Sequence, residues 1–302
     1  MLIDLLSGNL EDKFGTIEAF LGPMASGKST LAVMYITIFR EFANQLNCKI
    51  DVFRPTIDSR AQMSRLGIDR STGFIGVDPI RIETAQEILD YTAKKACFGK
   101  RRVMLFDEPE FLDSAFINVV EQLRKQGHLP ILSLLDTNFR GEPFAFSDYA
   151  ATTEDLLRTI PDRNKHYSRL AKCRICRQTA DYSHRLINGQ PAPYYDPLRV
   201  IDSDAARQES RKNYTYEPRC KEHFIVPWKE ETYAIETAIK RQNGLTRSEI
   251  LSIATDALHI PADVTEHTLT MFVTEKRVIE HERKFYIPPK IVTATVIPPP
   301  NT

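Results

Sequence analysis

The chain of 302 residues is long enough for about two domains, or for one large domain with an appendage. Its 42% hydrophobic and 26% charged residues match an ordinary globular protein and exclude global disorder. Forty Lys+Arg balance forty Asp+Glu, so no bulk field draws the chain onto nucleic acid or an anionic membrane, although a local patch stays open. The longest apolar run, Leu31 to Phe39 with Thr37 breaking it, falls far short of a bilayer span of about 20 residues. Met1 to Leu10 lacks the basic start and apolar stretch of a secretory signal. Five cysteines make an odd count, and no disulfide framework is expected without an export signal. A cytoplasmic, soluble protein is the expectation.

In chain order, Thr16 to Leu21 reads as a short buried strand. An amphipathic helix follows Gly22 to Thr30, because Leu31, Met34, Tyr35, Ile38, Phe42 and Leu46 recur at three- and four-residue steps. Ile50 to Phe53 is a second strand, and Arg54 to Gly76, polar and broken by Pro55, Gly67, Gly73 and Gly76, is a long loop. Ala85, Ile88, Leu89, Thr92 and Ala96 stripe a helix, and Val103 to Phe106 is a strand ending in Asp107 and Glu108. Leu112, Phe116, Val119, Val120 and Leu123 stripe the next helix, which Gly127 stops. Leu129 to Leu135 is a fourth strand, running into Asp136 to Gly141. Strands alternating with helices predict an α/β fold, a mostly parallel sheet with helices on both faces, over residues 1–165.

Residues 166–230 form a polar excursion with little helical or strand periodicity, bracketed by Cys173-x-x-Cys176 and Cys220-x-x-His223. Residues 231–302 read as three helices (Glu231 to Arg241, Ser248 to Ala257, Thr265 to Glu275) and a β-hairpin within Lys276 to Ile287, the order of a winged-helix module. A loose Pro-rich tail ends the chain. From Glu231 onward nine acidic residues offset eight basic ones, which fits a protein contact better than a DNA reader with its basic face, and leaves nucleic acid as the lesser alternative.

Three constellations carry chemistry. Gly22-Pro23-Met24-Ala25-Ser26-Gly27-Lys28-Ser29 satisfies the pattern G-x-x-x-x-G-K-[ST] between a strand and a helix, so the fold expected of residues 1–165 is a P-loop NTPase (RecA-like) one. Glycines let successive N–H groups turn inward at a helix N-terminus, making a cradle for a triphosphate such as ATP. Lys28 is placed to bridge the β- and γ-phosphates, and Ser29 to ligate Mg²⁺. Asp107 and Glu108 follow an apolar strand, where one carboxylate reaches that Mg²⁺ and the other faces a nucleophile as general base. The plain alternative is that Glu108 only caps the next helix. Cys173, Cys176, Cys220 and His223 supply three thiols and an imidazole, a closed tetrahedral set for structural Zn²⁺. Cys48 and Cys97 read as ordinary buried thiols, and His128, His166 and His184 as ordinary histidines.

Over roughly residues 15 to 225 the chain resembles the type II thymidine kinases, the cellular and bacterial thymidine kinase family. The carriers are Gly22-Pro23-Met24-x-Ser26-Gly27-Lys28-Ser29-Thr30, Arg54-Pro55-x-Ile57-Asp58-x-Arg60, Asp107-Glu108-x-x-Phe111 and Leu135-Asp136-x-x-Phe139-Arg140-Gly141-x-Pro143-Phe144. Cys173-x2-Cys176-x3-Ala180-x-Tyr182-Ser183-x-Arg185 and Tyr216-x3-Cys220-x2-His223 complete the set. The resemblance implies transfer of the ATP γ-phosphate to the 5′-hydroxyl of thymidine by a homo-oligomer, usually a tetramer. It implies Glu108 as catalytic base and Asp107 as a Mg²⁺ holder, with Asp58 and Arg60 approaching the nucleotide from the loop. Phe139, Arg140, Tyr182 and Tyr216 would face the nucleoside, closed in by the zinc-anchored lasso.

The chain departs from the family at three places, one of them the loop's usual Ser-His-x-Gly, which appears here only as Ser71-Thr72-Gly73. Where the family reads Asp-Glu-Ala-Gln-Phe, this chain has Pro109 and Glu110, and an ionised Glu accepts hydrogen bonds but cannot donate them. Where the family has Gly-Gly before the lasso tyrosine, this chain has Arg211 and Lys212. Two readings therefore stand. One is an ATP- and Mg²⁺-dependent deoxynucleoside kinase favouring thymidine. The other is a P-loop ATPase or regulatory protein that kept the fold and lost thymidine, with its last segment binding a partner or DNA.

Overall fold

The computed structural model describes residues 9–56, 79–94, 100–168, 170–199 and 213–288. Asp58, Arg60, Cys97, Arg211, Lys212, most of the expected long loop and the Pro-rich tail lie outside the described residues. The chain divides into two compact units. One runs to Ala192 and resumes over Leu198–Val226, and the other comprises Pro193–Pro197 and the chain from Pro227 on.

Six strands build the sheet of the first unit: β1 (Glu18–Leu21), β2 (Cys48–Pro55), β3 (Ile80–Ile82), β4 (Arg101–Asp107), β5 (Leu129–Leu134) and β6 (Lys165–Tyr167). Their order is β3-β2-β4-β5-β1-β6 and every pairing is parallel. Alternation along each strand sends side chains to opposite faces. Met104, Phe106, Leu132 and Leu134 join one core cluster, with Phe116, Val120 and Leu123 from helix α3 (Phe116–Lys125) and Ile88 from α2 (Gln86–Lys94). Val103, Leu105 and Ile131 join the other, under Leu31, Tyr35, Ile36 and Phe39 of α1 (Lys28–Glu41). Covering both faces explains why β1 and β5 are buried along their whole length.

Several expectations change in detail. The helix after Lys28 stops at Glu41, so Phe42 and Leu46 lie beyond it, and Met34 on its stripe is exposed. Leu112 is buried ahead of α3 rather than in it. Strand β6 has no sequence signature, because Lys165-His166-Tyr167 is short, polar and at the sheet edge. His166 Nε2 lies 2.6 Å from the buried Glu18 carboxylate of neighbouring β1. The polar excursion is also more regular than its composition suggests. It holds an antiparallel sheet, β8-β7-β9, from β7 (Tyr182–Ile187), β8 (Gln190–Pro191) and β9 (Tyr214–Arg219).

Helix α4 (Thr153–Arg158) lies between β5 and β6; in the second unit, α5 (Lys229–Arg241), β10 (Leu245–Thr246), α6 (Arg247–Ser252), a π-turn at Ile253–Ala257 and α7 (Ala262–Thr274) precede the hairpin β11 (Ile279–His281) and β12 (Lys284–Tyr286). The antiparallel order β10-β12-β11 gives the winged-helix succession of elements. A reciprocal cap starts α6: the Thr246 N–H donates to Glu249 Oε2 at 2.8 Å, and the Glu249 N–H to Thr246 Oγ1 at 3.3 Å.

Phe106 stacks on Phe53 at 5.1 Å and meets Phe116 edge-on at 5.2 Å. Truncating it empties the packing under the carboxylate-bearing end of β4. Phe106→Ala is expected to lower unfolding free energy by about 3–5 kcal/mol in urea titration, and a loss below about 1 kcal/mol would contradict this packing.

Candidate functional site

A parallel sheet brings the carboxyl ends of its strands to one edge, where a ligand can meet loops from several strands. The turn after β1 is the first of these. Gly22 has φ +143°, and a Cβ there would lie 2.8 Å from both the Ser168 carbonyl oxygen and Ser26 Oγ. Gly27 has φ +81° and opens α1. The segment after β6 straps this turn: the Ser168 N–H donates to the Leu21 carbonyl at 2.7 Å, and Ser168 Oγ donates to the Ser26 carbonyl. From β7, Ser183 Oγ accepts the Met24 N–H at 2.8 Å. Pro23 O accepts the Ser26 N–H at 3.2 Å, and Ala25 takes φ 61° to complete the curl.

The turn fits a polyphosphate by its own unmet valences. Lys28 begins α1, is only 6% exposed, and its ammonium has no hydrogen bond or ion pair among the described residues. Ser26 Oγ is likewise buried without a partner there. A buried ammonium is costly without an anion beside it, and Ser29 and Thr30 in the first turn add the unbonded N–H groups of a helix N-terminus.

Asp107 ends β4 one strand away from β1, across β5. Ser29 Oγ lies 3.2 Å from Asp107 Oδ1 and 3.1 Å from Ser133 Oγ on β5, so the intervening strand bridges the turn to the carboxylate. The other oxygen of Asp107 is gripped by the buried Arg54 guanidinium at the end of β2. Two oxygens in adjacent positions of an octahedral Mg²⁺ stand ~3.0 Å apart, so Ser29 and Asp107 fit that ion as the sequence expects. Arg54 belongs to a motif quoted above, yet only the register of β2 shows that it serves Asp107.

Glu108 takes a left-handed conformation, φ 55° and ψ 49°, with its N–H donated to the Ser133 carbonyl at 2.8 Å. Such a backbone costs roughly 1–2 kcal/mol in a residue other than glycine. Glu108 makes no side-chain capping bond to the short 3-10 turn Pro109–Phe111 that follows, which removes the capping alternative. Glu110, inside that turn, is fully buried and accepts the Leu135 N–H on Oε1 at 3.0 Å. Burial first, then the neighbouring Glu108 carboxylate, pushes its acid up to about 8.

Around the loop after β5, the Arg185 guanidinium covers Phe139 at 3.8 Å from the ring centroid, with Arg140 at 5.2 Å. Arg185 Nε donates to the Tyr216 hydroxyl at 2.9 Å. Tyr182 stacks on Phe224 at 4.3 Å, and Phe224 also presses on Gly141. Two expected nucleoside-side residues, Phe139 and Tyr216, thus meet Arg185, which carried no role in the sequence, and a third, Arg140, covers the same Phe139 ring. Tyr182 packs instead on Phe224.

The four metal-ligand candidates do converge. Their ligand atoms all lie within 4.8 Å of one another, with Cys176 Sγ 3.6 Å from Cys220 Sγ and His223 Nδ1 3.8 Å from Cys173 Sγ. Tetrahedral thiolates on zinc sit ~3.8 Å apart, so the set could hold that ion with no open position. Desolvation raises the Cys173 thiol, but the N–H groups of Cys176, Cys220 and Ile175 outweigh it and bring it down to about 6, toward the thiolate a metal takes. Cys48 is buried and its thiol raised by desolvation, as a plain core thiol should be. Cys173→Ser is expected to release about one equivalent of zinc per chain and to increase proteolysis between β7 and β9. Full metal retention by elemental analysis would remove Cys173 from the set.

No helix among the described residues is long and apolar enough to cross a membrane. A chain from the structure of Drosophila ORC bound to GC-rich DNA and Cdc6 is similar at 12% identity over 93% of this chain and 83% of that one, with a TM-score of 0.26, too slight a likeness to argue from. A family model described as thymidine kinase matches residues 15–224. That span takes in the phosphate turn, the carboxylate-bearing strand end and all four Cys/His ligands, more than half of the sequence, and the chain belongs to the thymidine kinase family of phosphotransferase enzymes.

Proposed function

We propose that this protein transfers the γ-phosphate of ATP to the 5′-hydroxyl of thymidine in a Mg²⁺-dependent reaction. The observation that carries the reading is the 3.2 Å contact between Ser29 Oγ and Asp107 Oδ1, which puts the phosphate turn and the carboxylate-bearing strand end at one place. In this reading the curled backbone of Gly22 to Gly27 and the first turn of α1 hold the β- and γ-phosphates. The Lys28 ammonium then spreads the charge of the group in flight. Ser29 and Asp107 would hold Mg²⁺, which neutralises phosphate oxygens when bound. Glu108, turned out of the strand by its left-handed backbone, accepts the proton of the attacking hydroxyl. The lasso encloses the nucleoside near Phe139 and Tyr216. Further parts of the proposal are a homo-oligomer by family likeness and a cytoplasmic setting, which the unbridged thiols of Cys48, Cys173, Cys176 and Cys220 support.

Purified protein with ATP, Mg²⁺ and a panel of nucleosides should yield thymidine monophosphate. ATP hydrolysis that ignores every nucleoside would reject the kinase reading in favour of an ATPase. Glu108→Gln is expected to bind ATP within a few-fold of the parent while losing about 10²–10⁴ in turnover. A nearly unchanged rate takes the base role away from Glu108.

A further inference from the structure

Glu110 is the family's glutamine position, and its surroundings decide what a carboxyl does there. It is fully buried; Oε1 accepts the Leu135 N–H at 3.0 Å, while Oε2 has no hydrogen-bond partner among the described residues. Among the described residues, the charged groups that act on it most are Glu108 on its own turn and Lys28 at the start of α1. Strands β2 and β5 pack against the turn. At its carboxyl end β2 carries Arg54, engaged with Asp107 of β4, and β5 leads into Asp136, whose acid is itself raised by desolvation. Among the described residues no cation touches Glu110, and Lys28 is the group that incoming phosphates would claim. An ionised carboxylate would therefore stand desolvated, half unbonded and next to a second carboxylate. A neutral acid meets the same surroundings differently. Its carbonyl oxygen accepts from Leu135 and its hydroxyl is left to donate, the two functions of an amide.

We propose that Glu110 is a positioning residue that works as a neutral acid, keeping its proton on Oε2 so that Glu108 is the only ionised carboxylate on the turn facing the phosphates and the acceptor hydroxyl. The catalytic half of this inference rests on the reading of Glu108 as base; the protonation half does not. A replacement that looks like the loss of an amide donor then retains one, below the pH at which Glu110 ionises.

The sign of the stability effect follows from the shift. The folded carboxyl is raised from the ordinary 4.5 to about 8, so between those values the unfolded chain binds fewer protons than the native one. Stability from this group falls as pH rises through that window and is level above it. Glu110→Gln removes the slope, so its melting temperature should gain on the parent progressively from pH 5 to pH 8. Glu110→Met, neutral and of similar bulk, should show the same growing gain, and serves if the Gln variant does not fold. In kinase assays the parent kcat/KM should fall relative to Glu110→Gln by about tenfold per pH unit above the ionisation. A difference in melting temperature that is the same at pH 5 and pH 8 overturns the neutral acid, as do superimposable pH–rate profiles. The melting comparison uses no nucleoside. A protein that fails to phosphorylate thymidine but shows the growing gain therefore sinks the kinase reading and leaves the protonation of Glu110 standing.

Discussion

A hydroxyl and a carboxylate 3.2 Å apart, Ser29 and Asp107, hold the arrangement of this site together. They lie 78 residues apart, Ser29 in the helix that follows β1 and Asp107 at the end of β4, and those two strands are not neighbours. Only the insertion of β5 between β1 and β4 sets that spacing, and Ser133 on β5 fills it with a second hydroxyl contact. The core enforces the register. Leu105 pairs with Ile131 and Phe106 with Leu132, and a slip of one residue would send each apolar side chain to the wrong face. The precision of the polar contact is thus inherited from apolar packing about one strand layer below it.

The lasso is tied to the same turn. Ser183 on β7 accepts the Met24 N–H, Ser168 just beyond β6 meets the Leu21 and Ser26 backbone, and Gly22 leaves room for that approach. β7 pairs with β9, and Cys220 follows β9 directly, while Cys173 and Cys176 precede β7. Both strands thus run from the four-ligand cluster, which fixes one end of the pair that bears Ser183. A metal there would act on the phosphate turn through β7, as a brace on backbone N–H groups rather than as a reagent.

The parallel sheet, the phosphate turn and the four ligands were legible because each rests on local rules: apolar runs, fixed spacing, and glycines at forced turns. The lasso sheet was not, because β7 buries Ser183, His184 and Arg185, where Ser183 Oγ meets the Met24 N–H, His184 Nε2 the Ile225 carbonyl, and Arg185 both Tyr216 and the Leu198 carbonyl. Polar residues on both faces erase the alternation by which a strand is recognised. One local signal did exist. Asn188-Gly189, both at positive φ, closes the β7–β8 hairpin as that dipeptide characteristically does. The roles of Arg54 and Arg185 were hidden for a different reason. Each acts on a residue far away in sequence, and no motif states which carboxylate or ring a buried guanidinium will meet.

Asp107, Glu108 and Glu110 place three carboxyls within four residues at the end of β4, and like charges so close cannot share one state cheaply. The fold separates them by surroundings. Asp107 has a guanidinium in contact on one oxygen and a hydroxyl on the other. Glu108 is lifted out of the strand by a backbone conformation that few side chains adopt. Glu110 turns inward, where burial favours its uncharged form. Arg54 is occupied, so among the described residues Lys28 remains the cation of the turn beside these groups. A third negative charge would draw on that ammonium in competition with a phosphate. Keeping Glu110 neutral is therefore the condition under which the other two carboxyls can be charged next to an anionic ligand.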